Sequence, residues 1–421
     1  MRIDIRTILF PMLSLSPASD PVSRRRFLQA TATAGLTFTL AVTSGIALGP
    51  HLAPPLSAAP AEKRRYRAAI IGRTGGGDYG HGWDEYFRQV ENVDVVGVAD
   101  PNPEGAAKAA LRSGATKTYT EYSRMIAEQK PDIVGILFRQ PRGHLEAARF
   151  ALEAGAHLFL EKPFTETLPE ADALHALAIK HQKHIIVAHN RRWMREFVVL
   201  RSLLRDGFLG SVREVHIHGK QDSRAGGEDL MVLGTHDFDI LRFFFGDPLW
   251  CSATVLNKGR LATRAEIHDG QEPIRVAGDT VRAMFGFGNN ITATWESVTT
   301  PDDWNKAKFA RERWSFEIIG SKRIVAYQPG FGFGVLESPF HAHKDATGMW
   351  QSLPATVALP WLDYEQHPVQ SLVHAIETGQ RTLCDADDAR WTIEMVSAVY
   401  RSHFDARRVE LPLKDRSDPL V

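Results

Sequence analysis

A run of glycines after the first apolar stretch has the spacing of a loop that binds a diphosphate. The apolar stretch ends at Gly72, and residues 75–80 form a G-x-G-x-x-G before a predicted helix. Glycines let the main chain approach a pyrophosphate closely, and a helix N-terminus offers it free N–H groups. Gly72 also occupies a first-glycine position, so two registers stay open; a glycine-rich turn without a ligand is the alternative. The candidate binding residues of this loop are Gly72, Thr74, Gly75, Gly77, Gly80 and His81.

An acidic residue stands where a dinucleotide site would use one. Asp100 lies twenty residues after Gly80, at the end of the second predicted strand. A carboxylate there can accept hydrogen bonds from both ribose hydroxyls, and it repels a 2′-phosphate. The sequence therefore predicts a dinucleotide cofactor, with NAD favoured over NADP.

The elements around these residues alternate between short apolar strands and helices. This alternation predicts a parallel sheet with helices on both faces, and continuous apolar strands are typical of such covered sheets. We therefore expect an α/β protein in which residues 62–189 form a Rossmann domain with a doubly wound parallel sheet. The predicted strands are 67–71, 93–99, 132–138, 157–160 and 184–188, and the predicted helices are 81–91, 103–113, 144–154 and 168–181.

The rhythm of the sequence changes after residue 189. A helix through residue 205 leads into longer strand candidates, several of them joined by turn signals such as Gly288-Asn289-Asn290. We expect residues 190–421 to form a second α/β domain with a mostly antiparallel open sheet, and residues 329–359 to form a loop. The predicted strands are 212–220, 252–257, 280–287, 290–297, 314–319 and 323–326, and the last predicted helices are 369–379 and 386–402.

Residues 1–61 have the layout of an export signal. Ser23-Arg24-Arg25-Arg26-Phe27-Leu28 precedes an apolar stretch at 30–48, and small residues follow near Ala59-Pro60-Ala61. The paired arginines resemble a Tat signal, which predicts export by the Tat machinery to the periplasm and no membrane span after cleavage; a retained anchor is the alternative. Because a periplasm supplies no free nicotinamide nucleotide, we expect a tightly held cofactor that is recycled in place.

Charge and cysteine content exclude several classes of partner. Lys+Arg and Asp+Glu number 50 each, whereas nucleic-acid binding needs a basic face, so nucleic acid is not expected as the main partner. The two cysteines, Cys251 and Cys384, form no CxxC motif or Cys/His cluster, and no metal is expected. Two buried thiols are favoured over one disulfide.

Five short motifs, in order along the chain, resemble those of the Gfo/Idh/MocA family of glucose–fructose oxidoreductases and inositol dehydrogenases. The resemblance covers residues 67–402. The motifs are Pro141-Arg142-Gly143-His144 (P-x-x-H), Glu161-Lys162-Pro163 (E-K-P), Asn190-Arg191-Arg192-Trp193 (N-x-R-aromatic), residues 207–212 (G-x-L/I-G-x-V) and residues 234–239 (G-x-H-x-x-D).

The resemblance implies an NAD-dependent oxidoreductase that acts on sugars or cyclitols. It also implies homo-oligomers that pack through the second sheet, and catalytic roles for Lys162 and His236. The cofactor-binding residues that it implies are Pro141, His144, Glu161, Lys162 and Asn190.

Hydride transfer from a secondary alcohol requires that the hydroxyl proton leaves with the hydride. The base must lie within hydrogen-bond reach and titrate near ambient pH, which histidine does unperturbed and lysine does when burial lowers its pKa. A lysine that stays protonated instead stabilises the developing oxyanion. We therefore hypothesise that His236 is the acid/base and that Lys162 is the cation that orients the hydroxyl.

One position departs from the family pattern. Many members carry an Asp four residues before this histidine, and here the position is Val232. Asp229, Asp237 and Asp239 are the acids nearby that could replace it. Asp239 is the best candidate, because residues three apart on a helix lie on neighbouring positions of one face.

Basic and aromatic residues near these motifs are candidates to bind a sugar. They are Arg191, Arg192, Trp193 and Arg224, together with Trp295 and Trp314. Core packing is the alternative for the tryptophans.

Three functions remain compatible with the sequence. The first is a sugar or polyol dehydrogenase, or a two-sugar oxidoreductase that recycles its own NAD. The second is an NAD-dependent glycosidase, in which transient oxidation permits an elimination, and the altered Val232 position fits such chemistry. The third is a nucleotide-binding protein without turnover.

Overall fold

The structure, a computed structural model, describes residues 64–299, 315–328, 332–337, 351–353 and 367–421. The described residues belong to one compact unit that spans Glu62–Val421. The predicted signal region, residues 1–61, lies outside the described residues. Within the described ranges, no helix has both the length and the apolar character needed to cross a bilayer.

The first half contains six parallel strands, which confirms the predicted Rossmann sheet. The strand order is β3-β2-β1-β4-β5-β6, and the order reverses between β1 and β4. In such sheets a ligand binds beyond the carboxyl ends of the strands at this switch point. The strands are β1 (Tyr66–Ile71), β2 (Val93–Ala99), β3 (Thr118–Tyr119), β4 (Ile133–Ile136), β5 (His157–Leu160) and β6 (Ile185–Val187).

Two helices of this half, α2 and α5, begin at side-chain caps, and the first helix begins later than predicted. The side chain of Asn102 accepts from two main-chain N–H groups of α2, and Thr167 forms a capping box with Glu170 at α5. The first helix, predicted at 81–91, begins only at Asp84, because Gly82 has a φ of +80° that an α-helix cannot contain. The helices are α1 (Asp84–Phe87), α2 (Pro103–Ser113), α3 (Tyr122–Gln129), α4 (His144–Glu153) and α5 (Leu168–His181).

The second half contains a large, mostly antiparallel sheet, as predicted. Its order is β17-β16-β15-β14-β7-β13-β12-β8-β18, with β9 paired to β8, and only β7 and β13 among these described strands run parallel. Residues 329–359, predicted as a loop, contain β16 and β17. The strands are β7 (Val212–His218), β8 (Trp250–Asn257), β9 (Arg260–Leu261), β12 (Thr280–Gly286), β13 (Thr292–Val298), β14 (Ser315–Gly320), β15 (Arg323–Gln328), β16 (Gly332–Glu337), β17 (Gln351–Ser352) and β18 (Val409–Glu410), and the short pair β10 (His268–Asp269) and β11 (Arg275–Val276) stands apart.

One long helix joins the two halves. The last helix, α10, packs against α5 of the first half and against α8 and β8 of the second. Arg416 extends this contact, with guanidinium nitrogens 2.5 Å from carboxylate oxygens of Asp172 in α5 and Glu394 in α10. The remaining helices are α6 (Arg195–Arg205), α7 (Gly227–Val232), α8 (Gly234–Phe245), α9 (Pro368–Thr378) and α10 (Ala386–Phe404).

Candidate active site

The catalytic candidates of the two halves meet at the carboxyl edge of the first sheet. Lys162 follows β5, and His236 lies in α8. The Nζ atom of Lys162 donates to the main-chain oxygen of Val232, at 3.4 Å, so this lysine contacts the segment that leads into α8. The position where the family pattern has a carboxylate therefore offers Lys162 a carbonyl oxygen instead.

The glycine-rich loop turns sharply at the switch point. Gly75, Gly77 and Gly80 have φ values of +79°, +93° and +63°, which favour glycine. A Cβ on Gly77 would lie 2.5 Å from the main-chain nitrogen of Arg139, whereas a Cβ on Gly75 would meet no atom within 4 Å. The loop thus presses against the chain after β4 and leaves open space above Gly75 for a pyrophosphate. Gly72, at the end of β1, is tightly enclosed, because a Cβ there would collide with the Tyr79 ring.

Asp100 is occupied by the protein itself, contrary to the expectation that it holds ribose hydroxyls. Its carboxylate is fully buried and accepts from Thr74 Oγ1 at 2.7 Å, Tyr79 Oη at 2.8 Å, and the main-chain nitrogens of Thr74 and Asn102. A carboxylate has about four acceptor positions. The residues of the long loop fill them, so Asp100 offers no free acceptor in this arrangement.

Glu161 connects the glycine-rich loop to Lys162. Its fully buried carboxylate lies 2.8 Å from Nδ1 of His81 and accepts from Nε1 of Trp83 at 3.2 Å and from the main-chain nitrogen of Lys162 at 2.5 Å. Burial opposes ionisation, but the His81 contact and the Lys162 charge outweigh it and lower the pKa of Glu161. The loop passes close over this anion, because a Cβ on Gly80 would lie 2.5 Å from Oε1.

Lys162 is buried, and its charge is only partly compensated. Lys162 is 6% exposed. Burial lowers the pKa of its amine, and the negative charge of Glu161 opposes this shift without cancelling it. The charges of Lys220 and Arg139 lower the pKa further. Lys162 therefore titrates more easily than a surface lysine, which suits a group that handles a proton.

His236 faces another histidine. Its Nδ1 atom lies 3.4 Å from Nδ1 of His189, and the two rings meet edge to face with centroids 5.2 Å apart. His236 is 9% exposed and His189 is fully buried. Burial, together with the charge of Lys162, holds the pKa of His236 well below its usual value. A neutral imidazole is the form that can accept a proton from a hydroxyl.

Asp239 does not contact His236, so its expected role as the carboxylate that orients the histidine is not supported. Its Oδ1 atom lies 2.7 Å from Nη2 of Arg192, and its side chain is fully buried. Arg192 also lies 2.9 Å from Asp388 and donates to the carbonyl of Leu383. These contacts place Arg192 in a buried ionic cluster rather than at a substrate surface, which corrects its predicted role.

The other acids near His236 also bind other groups. Asp237 forms an ion pair with Arg191 and accepts from Nε1 of Trp295 at 2.8 Å. Asp229 accepts from Ser297 Oγ and from the main-chain nitrogen of Lys220, both at 2.9 Å. Burial raises the pKa of Asp229 to about 7, and its Oδ1 atom has no hydrogen-bond partner.

The remaining substrate candidates differ in how deeply they are buried. Trp193 is 6% exposed and packs in the hydrophobic core, which corrects its prediction as a substrate residue. Arg224 is half-buried, 3.6 Å from Glu272, whose charge also acts on Lys162, so Arg224 stays a substrate candidate. Trp295 is buried, and Trp314 lies outside the described residues.

Two predicted cofactor residues lie at the same sheet edge, and a third has a structural role. Pro141 is buried in the turn before α4, and Asn190 is exposed, three residues after the end of β6. His144 is fully buried, with Nε2 2.8 Å from the carbonyl of Phe138 and Nδ1 3.0 Å from that of Pro163. Its ring connects the loops after β4 and β5, so it supports the cofactor edge without reaching it.

Sequence reasoning missed three residues of this site. His189, Tyr79 and Trp83 each make a contact described above, with His236, Asp100 and Glu161 respectively. A usable signal existed for His189 alone, because a polar residue that directly follows a buried strand lies at the ligand edge of a parallel sheet. Among the residues that the structure describes, no group of three His, Cys, Asp or Glu side chains is suited to a metal ion.

The residues present fit a dinucleotide in most respects. The left-handed glycines, the open space above Gly75 and the switch point suit a pyrophosphate. Glu161 and Asn190 lie at the edge where the nicotinamide half would extend. The buried, saturated Asp100 is the one feature that does not fit the usual pattern.

Comparison with known proteins gives a consistent assignment for both halves. Residues 66–189 match a family model described as an oxidoreductase family with an NAD-binding Rossmann fold, and residues 197–326 match the GFO/IDH/MocA C-terminal domain. The chain is 25% identical to D-apiose dehydrogenase of Paraburkholderia graminis, over 87% of this chain and 95% of that protein. It is 23% identical to D-glucoside 3-dehydrogenase of Escherichia coli, over 82% of this chain and 97% of that protein.

Solved structures share the same fold. Levoglucosan dehydrogenase in complex with NADH and levoglucosan aligns with a TM-score of 0.64 at 20% identity, over 83% of this chain and 100% of that one. Aldose–aldose oxidoreductase from Caulobacter crescentus, complexed with glycerol, aligns with a TM-score of 0.62 at 21% identity, also over 83% and 100%. At these identities the likeness concerns the fold alone.

Proposed function

We propose, from the premise that this chain belongs to the Gfo/Idh/MocA family of NAD-binding oxidoreductases, that it oxidises a hydroxyl group of a sugar, a polyol or a cyclitol. The observation that carries the proposal is the approach of Lys162 to the segment that holds His236. Its Nζ atom donates to the carbonyl of Val232, four residues before His236, and its charge lowers the pKa of His236. The names of the relatives, D-apiose dehydrogenase and D-glucoside 3-dehydrogenase, support a carbohydrate substrate.

The two residues have complementary roles in this proposal. His236, kept neutral by its lowered pKa, accepts the hydroxyl proton at Nε2. Lys162 donates a hydrogen bond to the same oxygen and stabilises its developing negative charge. When bound, NAD supplies the hydride acceptor. Arg224, which lies 3.6 Å from Glu272, is the candidate to contact other hydroxyls of the substrate.

A single-turnover experiment tests these roles. The purified protein is loaded with NAD and mixed with a panel of sugars, and the absorbance of reduced nicotinamide is recorded. We expect His236→Ala and Lys162→Ala each to slow reduction by about 10²- to 10⁴-fold. The matched controls, His175→Ala on α5 and Lys108→Ala on α2, keep the wild-type rate. Wild-type rates in both His236→Ala and Lys162→Ala would contradict the proposal.

The same panel separates the alternatives. Release of an aglycone without net reduction of NAD supports the glycosidase that the Val232 position suggests. No change with any sugar, despite NAD binding, supports a nucleotide-binding protein without turnover.

We also propose that residues 1–61 are a Tat-type signal that sends the folded protein to the periplasm with its NAD bound. The twin arginines before Phe27 and the apolar stretch at 30–48 support this location. Replacing Arg24 and Arg25 with Lys should leave the protein in the cytoplasmic fraction. Protein that still reaches the periplasm would contradict the proposal.

We further propose a homo-oligomer that packs through the open side of the second sheet. The partly exposed Met284 on β12, with an exposed fraction of 40%, supports this surface. A Met284→Lys variant should lower the mass in sedimentation experiments, whereas a wild-type protein that sediments as a monomer would exclude the assembly.

A further inference from the structure

A buried histidine lies beside His236, on the Nδ1 side of its ring. His189 is fully buried at the end of β6, and its Nδ1 atom lies 3.4 Å from Nδ1 of His236. Its other ring nitrogen, Nε2, is buried without a hydrogen-bond partner. The contact with His236 is therefore the one hydrogen bond that this ring makes among the described residues.

No acid among the described residues takes this position. The carboxylates of Asp237 and Asp239 pair with Arg191 and Arg192, respectively. Asp229 accepts from Ser297 Oγ and from a main-chain nitrogen. In the described structure, the Nδ1 atom of His236 thus has a ring nitrogen as its partner.

We propose that His189 is the positioning residue for His236, and that its Nδ1 atom accepts the Nδ1 hydrogen of His236. The tautomer of an imidazole is set by the hydrogen bond that its other nitrogen makes. With Nδ1–H directed at His189, the Nε2 atom of His236 is unprotonated and available to a substrate hydroxyl. This inference rests on the proposed role of His236 as the acid/base.

A histidine partner differs from a carboxylate in charge. The charged and titratable groups around His236 are Lys162, Arg191, His81 and His189, and those around His189 are Arg192, Lys162, Glu161 and Arg191. Burial and these mostly cationic neighbours lower the pKa of His189 to about 3, so it stays neutral. A neutral ring orients His236 as a carboxylate would, but it does not stabilise the imidazolium that forms when His236 takes a proton.

Three variants of His189 test this inference. His189→Phe keeps a flat apolar ring and removes the hydrogen bond; we expect kcat to fall by about 10- to 100-fold with little change in KM. His189→Asn, whose side-chain oxygen can accept at the same place, should restore kcat to within a few-fold of wild type. His189→Asp adds a negative charge beside His236, so the acidic limb of the pH–rate profile should move to higher pH.

A second measurement is independent of turnover. In protein labelled with ¹⁵N in its imidazole rings, protonated and unprotonated nitrogens have separate chemical shifts. His236 should show Nδ1 protonated in the wild type and a mixture of tautomers in the His189→Phe variant. Signals are assigned by their loss in His236→Ala and in the His189 variants. If the Phe variant does not fold, the Asn and Asp variants carry the same comparison.

The outcomes distinguish this inference from the proposed function. A wild-type rate in His236→Ala means that the proposed role of His236 is wrong. A slow His236→Ala together with a wild-type kcat, pH profile and tautomer in the His189 variants overturns only the role of His189. A shifted pH limb in His189→Asp, with rescue by His189→Asn, supports it, because a purely structural role predicts neither.

Discussion

The hydroxyl of Thr74 donates to Oδ2 of Asp100 at 2.7 Å, within the loop that must approach a diphosphate. Tyr79 and the main-chain nitrogen of Asn102 also donate to this carboxylate. Together these donors leave Asp100 no free acceptor position for a ribose hydroxyl. The buried negative charge remains, and it still disfavours a 2′-phosphate nearby.

Removing this hydroxyl should therefore tighten NAD binding. We expect Thr74→Val, which is similar in shape, to free one acceptor position of Asp100 and to lower the Kd for NAD by about 3- to 10-fold, the value of one net hydrogen bond. The preference for NAD over NADP should persist. Calorimetric titration measures both dissociation constants.

Thr116→Val, which removes a hydroxyl that donates to the carbonyl of Val96 away from the loop, is the control. A Kd for NAD that is unchanged in Thr74→Val would show that the loop already rearranges to release Asp100 when the nucleotide binds.

The pH dependence of hydride transfer should reflect the burial of the site. His236 is active when neutral, and its pKa lies well below 6.5, so the rate of alcohol oxidation should stay constant as the pH falls through about 7 to 6.5 and decline only below that range. Single-turnover rates measured across a pH series show where this decline at acidic pH begins. An acidic limb centred near 7 would mean that His236 is solvated or that another group controls the reaction.

Asp229 should make the protein less stable as the pH rises. Its pKa in the folded state is about 7, against an ordinary value of 3.8, so the fold favours the protonated form. The stabilisation is complete below the unfolded pKa and is lost as the pH rises towards 7. Urea unfolding of wild type and Asp229→Asn should differ by about 2 kcal/mol more at about pH 8.5 than at about pH 5.5, in favour of the variant.

Asp247→Asn, on a carboxylate whose side chain is 54% exposed, is the matched control for the same change outside the core. A difference between Asp229→Asn and wild type that is constant with pH would mean that Asp229 is ionised in the fold.

The buried ionic cluster around Arg192 should be essential for stability. Arg192→Met would leave the carboxylate of Asp239 without its buried ion-pair partner, whereas Asp388 would keep Arg242. Breaking a buried pair costs about 3–5 kcal/mol. Arg282→Met, which breaks the more exposed pair with Glu296, should cost less than about 1 kcal/mol. Urea denaturation measures the free energy of unfolding of both variants. Equal losses of stability would mean that the Arg192 cluster is no better shielded from water than the pair of Arg282 and Glu296.

Local signals account for the parts of the fold that the sequence predicts well. Asn102 before Pro103 marks the start of α2, and the predicted bounds of that helix agree with the structure because cap and apolar pattern coincide. The helix predicted at 81–91 shrinks to four residues because Gly80 and Gly82 take left-handed conformations. Glycine spacing alone does not reveal these φ values.

Long-range pairings limit what the sequence predicts about the site. Asp239 pairs with Arg192, 47 residues earlier, whereas helical spacing pointed to His236. His189 and His236 are likewise 47 residues apart and belong to different halves. Periodicity and motif spacing describe single elements, and these contacts depend on how β6 and α8 pack together.

The long helix α10 opposes separation of the two halves. It is seated against α5 on one side and α8 and β8 on the other, and Arg416 binds Asp172 and Glu394 across the same junction. A hinge motion that opened the two halves would break the contacts of α10 with one of them. We therefore expect the two halves to keep their relative orientation when a ligand binds or leaves.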